Sequence, residues 1–135
     1  MRTDAAPDPA PGESEADFNA RWEALLAELS ERFGRRPDLN ALLLLIGVQE
    51  LGQGVAAFTK EQKQDLMHIA TCKLFSLSGY YELAHLDDEG WPHYRLLRPV
   101  PFANLREQER MLKWHMLEYF ESQIDADLAD DADSE

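Results

Sequence analysis

One cysteine, at position 72, is the only thiol in this sequence. An internal disulfide is excluded, and a lone thiol fits a reducing compartment. Long apolar runs are missing as well. The longest, Ala41 to Val48, falls well short of the roughly 18 residues that a membrane-crossing helix needs. The first residues, MRTDAAPDPAPGESEAD, hold no apolar segment and carry acids where a signal peptide carries bases, so a cytoplasmic location is expected. No Gly-rich phosphate loop, nucleophile elbow, Cys-x-x-Cys or His-Glu-x-x-His is present, and no motif assigns a reaction. Basic charge is scarce, with 13 Lys and Arg against 26 Asp and Glu.

The net charge of −13 is unevenly spread. Residues 1–17 hold five acids and one Arg, and residues 121–135 hold seven acids and no base. The stretch between them is close to neutral. Acidic ends favour solubility and repel both nucleic acid and anionic membranes. A clustered basic face, the footprint of nucleic-acid binding, is absent. Neither nucleic acid nor membrane is an expected partner.

What is present is a globular apolar content of 44% in 135 residues, enough for one core without staples. Residues 1–13, rich in Ala, Pro and Asp, read as a disordered arm, and 125–135 as a disordered acidic tail. Between them a single helical domain is expected over 14–124: a mainly α, compact bundle of four helices at about 14–33, 38–52, 59–78 and 104–123. In the first, Phe18, Trp22, Leu25, Leu29 and Phe33 recur at helical spacing before Gly34. The second is apolar all round through Leu42 to Leu45, which calls for cover on most sides, and Pro37 suits its first turn. The third opens on the capping box Thr59-Lys-Glu-Gln62. The fourth is capped by Asn104, with Leu105, Leu112, Met116, Tyr119 and Phe120 as its buried stripe. Residues 80–98 differ in texture: aromatics flank DDEG, and Pro92 forbids a helix. They form either a β-hairpin closed at Asp87–Gly90, with Glu82 opposite Arg95, or an irregular aromatic loop.

Two places carry chemistry. On the third helix Glu61, Asp65, His68 and Cys72 share a face, opposite Leu66, Ala70, Leu74 and Leu77. Asp65, His68 and Cys72 are metal-ligand types, and an Asp–His–Cys order can also activate a thiol. The plainer reading is packing, because a buried free cysteine behaves as a small hydrophobe and a structural zinc wants four ligands. Glu50, at the end of an apolar helix, and His115 are further titratable groups whose position in space decides whether they join. The second place is aromatic: Tyr81, Trp91, His93 and Tyr94, bordered by Arg95, have the composition of an interaction surface.

The first function expected is therefore a small non-catalytic protein-interaction or regulatory domain. It uses the aromatic surface at 80–94, needs no cofactor, and takes a protein partner or a second copy of itself. The alternative is a metal-dependent or thiol enzyme centred on His68 and Cys72. Convergence of three of His68, Cys72, His93, His115 and Glu50 on one cleft favours the enzyme or metal reading, and their scattering ends it.

Overall fold

The computed structural model describes residues 14–54, 57–101 and 104–133, with side chains as far as Ser122. The arm expected at 1–13 lies outside the described residues, as do the side chains of the expected acidic tail. In chain order the elements are α1 (Glu15–Phe33), α2 (Leu39–Leu51), α3 (Lys60–Ser76), β1 (Tyr81–Leu86), β2 (Pro92–Leu96) and α4 (Leu105–Asp133). The chain is mainly α, and of the two forms open to 80–98 it adopts the antiparallel hairpin. Among the described residues no helix is long and apolar enough to cross a membrane. Internal contacts divide the chain into two units, residues 1–25 with 101–135, and residues 26–100. Composition does not mark the first boundary, because α1 runs through it.

The unit of residues 26–100 is built on α2 and α3. Asp38 caps α2, its carboxylate accepting from the Ala41 N–H at 2.8 Å. Pro37 therefore sits just before the cap and not in the first turn, where sequence had put it. Gly52 ends the helix in the left-handed region at φ 73°. Leu42 and Ile46 are fully buried, as an all-round apolar helix requires. Gly47 sets the spacing to α3: a Cβ there would fall 2.2 Å from the Leu66 carbonyl oxygen. Only glycine permits that approach. The α3 cap is the expected box, with Thr59 and Gln62 exchanging side-chain-to-backbone bonds at 3.0 Å each. Its apolar side, Leu66, Ala70 and Leu74, has no exposure at all, whereas Leu77, just past the helix end, is 45% exposed.

The unit of residues 1–25 and 101–135 contains the start of α1 and all of α4. Ser14 caps α1, its hydroxyl accepting from the Asp17 N–H at 3.0 Å. Phe18, Trp22 and Leu25 are buried. Arg110 pairs with Glu15 at 3.0 Å and lies over the Phe18 ring, and Arg21 pairs with Glu121 at 2.9 Å. In α4 the buried stripe is Met111, Leu112, His115, Met116, Leu117, Tyr119 and Phe120. Leu105 is not part of it; at 81% exposed it projects from the first turn, before the stripe begins. Phe33, half exposed at the other end of α1, departs from its expected stripe for the same end-of-helix reason. Past the expected end near 123, α4 stays helical to Asp133. The stretch has alanines and no Gly or Pro to stop it.

Candidate functional site

The site begins with the turn of the hairpin. Asp87 and Trp91 face each other across a three-residue loop: the Asp87 N–H donates to the Trp91 carbonyl and the Gly90 N–H to the Asp87 carbonyl, each at 2.9 Å. Gly90 takes the left-handed position at φ 87°, the requirement of a type I turn with a following bulge. The Asp87 carboxylate organises the rest. One oxygen accepts the N–H groups of Glu89 and Trp91, each at 2.9 Å, and the other lies 3.0 Å from Nε2 of His93. The His93 hydrogen bond, followed by that from Trp91, holds this carboxyl below the usual carboxylate range. The side-chain amide of Gln53 donates to the Glu89 carbonyl at 2.7 Å, tying the turn to the loop after α2.

Beyond the turn the register pairs Glu82 with Arg95 and Leu83 with Tyr94. Arg95 Nε donates to Glu82 at 2.9 Å, as the hairpin form required. A bulge between Leu83 and His85 then changes the parity of β1. His85 is carried to the side of His93, and the two rings stack at 4.8 Å and 3°. Tyr81, Leu83, Tyr94 and Leu96 share the other face. Arg95 consequently stands on the opposite face from Tyr81 and Tyr94 and does not border them.

The polar stripe of α3 supplies the second wall. Asp65 and His68 are exposed, whereas Cys72 is only 2% exposed. Cys72 Sγ lies 3.5 Å from Nε2 of His68. Asp65 makes no hydrogen bond to His68, so the expected three-residue relay is broken at its first link. Burial pushes the thiol up to about 11, the reverse of what a nucleophilic cysteine needs. Among the described residues no three His, Cys, Asp or Glu are grouped so as to hold a metal ion.

These walls enclose one cleft of about 390 Å³. From α3 come Asp65, His68, Ile69 and Cys72; from the hairpin come Asp87, Glu89 and Trp91 to Tyr94. Residues of both candidate places thus line a single site, to which Tyr81 and Arg95 do not contribute. Trp91 is half-buried, with its ring edge-on to Phe58 at 6.4 Å. Tyr94 is held up to about 12 by burial, then by the nearby charge of Glu50, so its phenol stays protonated. Among the described residues no Lys or Arg lines the cleft.

His68, Cys72 and His93 line the cleft while Glu50 and His115 do not. Three of the five thus converge as the enzyme or metal reading asks, against the raised thiol pKa and the lack of a metal-holding group among the described residues. Glu50 has Lys73 at 4.0 Å. His115, in the other unit, is fully buried with Nδ1 2.7 Å from the Met111 carbonyl. Sequence reasoning placed the acids of the turn only at the border of the aromatic surface and did not single out Asp87 and Glu89 as site residues. The available signal was an Asp opening a Gly-terminated loop, where its carboxylate caps the backbone N–H groups beyond it. A larger groove in the other unit, about 780 Å³, is lined by three cations, of which Arg110 pairs with Glu15 and Lys113 with Glu109 while Arg106 has no ion pair among the described residues. No protein-family model, curated protein or solved structure matches this chain.

Proposed function

We propose that this chain is a non-catalytic protein-binding domain whose cleft between α3 and the hairpin receives a segment of a partner. The observation that carries the reading is the wall formed by Trp91 and Tyr94, facing the polar stripe of α3 across an open cleft. Its volume, about 390 Å³, falls in the range of about 300–1,000 Å³ typical of ligand sites. A rigid aromatic wall with polar groups around it is where binding energy concentrates in an interface. Leu83, Leu86 and Leu96, each more than half exposed, extend that side of the hairpin and supply apolar area beside the cleft. The lack of Lys and Arg in the lining disfavours phosphates, and with them nucleic acid and lipid headgroups. Thiol chemistry is disfavoured by the burial and raised pKa of Cys72. A cytoplasmic setting goes with this reading, since a reducing compartment preserves a free thiol.

The test is selection of a displayed random-peptide library on the whole chain, scored against two variants. Trp91→Ala removes the aromatic wall, and Asp65→Lys alters the exposed α3 side without touching the hairpin. Peptides retained by the native protein and lost from both variants are the expected result, with circular dichroism showing both still folded. Peptides indifferent to both variants, or no enrichment at all, overturn the proposal. Concentration-dependent self-association that Trp91→Ala abolishes would identify the segment as one from a second copy.

A further inference from the structure

We infer that the cleft is built to seat a basic side chain, an Arg or Lys of a partner's polypeptide segment. The inference rests on the binding reading above and names the chemistry of its occupant. Charge comes first. Carboxylates enter from α3 at Asp65 and from the turn at Asp87 and Glu89, and beside them stand the imidazoles of His68 and His93 but, among the described residues, no Lys or Arg. Asp87 is committed to the turn and to His93. The Asp65 and Glu89 carboxylates have no ion pair or hydrogen bond among the described residues.

The aromatic groups point the same way. Elsewhere this chain seats its own cations on rings: Arg98 over Tyr80 at 4.2 Å, Arg110 over Phe18 at 4.8 Å and Lys113 over Trp22 at 5.4 Å. Trp91 and Tyr94 hold no cation among the described residues, although they stand beside carboxylates. An indole is the best cation acceptor of the aromatic side chains, and neighbouring carboxylates add to its attraction. An Arg suits the combination, its planar guanidinium stacking on the ring while its N–H groups reach a carboxylate. The polypeptide source follows from the exposed Leu83 and Leu96, which share the hairpin face of Tyr94 and offer apolar area for residues flanking the basic one.

The experiment sequences the peptides selected on the native chain and repeats the selection on the double variant Asp65→Asn, Glu89→Gln. Both substitutions are at exposed positions and keep side-chain size, so the fold is retained. The expected native pool carries Arg or Lys at one recurring position. Replacing that residue by Gln in a synthetic peptide, or using the double variant, weakens binding by about tenfold, and added salt weakens it further. Peptides that need Trp91 but carry no recurring basic residue, or that bind the double variant equally well, overturn this inference and leave the binding reading standing. Absence of any Trp91-dependent peptide overturns both.

Discussion

Cys72 offers the sharpest contrast between a binding domain and a thiol enzyme. The folded thiol titrates at about 11, against 9.0 for an ordinary one. At pH 7.5 that difference leaves about a hundredfold less thiolate, the species that reacts with alkylating agents. Access lowers the rate again, because Cys72, at the floor of the cleft, is only 2% exposed. Iodoacetamide should therefore modify the native protein at least about a hundredfold more slowly than the urea-unfolded chain at the same pH. The unfolded chain loses its thiol proton near 9.0 and the folded one near 11, so folding stability should be unaffected below pH 9 and decline as pH rises between them. Mass spectrometry of quenched time points measures the rate. Native labelling as fast as that of the unfolded chain, with a half-point below pH 8, would refute the reasoning and return His68 and Cys72 to the position of a reactive pair.

Gly47→Ala should destabilise the protein by about 1–3 kcal/mol despite alanine's higher helix propensity, since backbone and not a flexible side chain opposes the new methyl group; chemical denaturation measures it, and a more stable variant contradicts the close approach of α2 and α3. Asp87→Ala should disorder the turn and change the indole environment of Trp91 in fluorescence. In the native protein the same change should appear only on acidification below 3.8, because the carboxyl pKa is depressed and its contribution is lost as pH falls through the folded value. His115, whose pKa is lowered by burial, should make stability fall as pH drops below 6.5, where the unfolded chain takes up the proton that the buried ring resists. His115→Gln should flatten that part of the pH profile.

The local features of this fold were legible from residue spacing. The Thr59–Gln62 box, the Asn104 cap and the Asp87–Gly90 turn are set by side chains bonding backbone within a few residues. The Glu82–Arg95 pair followed once the turn was placed. Features set by distant packing were not legible. Nothing in the sequence near Gly47 announces that the Leu66 backbone lies against it. The bulge beside Leu83 inverts the alternation of β1 beyond it, which hid the His85–His93 stack, whereas plain alternation along β2 already sets Arg95 opposite Tyr94. The cleft itself joins residues 65–72 to residues 87–94, and the two stretches were readable separately as a polar stripe and an aromatic cluster. Their meeting depends on how the hairpin packs on α3, a non-local arrangement without a spacing signature.

The central claim is that the cleft between α3 and the hairpin is where this protein binds. Its most direct test is amide and indole chemical-shift mapping of the isotope-labelled chain, titrated with a peptide recovered from the library selection. The account predicts that the shifts concentrate on Asp65, His68 and Cys72 of α3 and on Glu89 to Tyr94 of the hairpin, led by the Trp91 indole. Shifts centred instead on the groove of Glu15, Phe18 and Arg110, with the Trp91 indole unmoved, would contradict it.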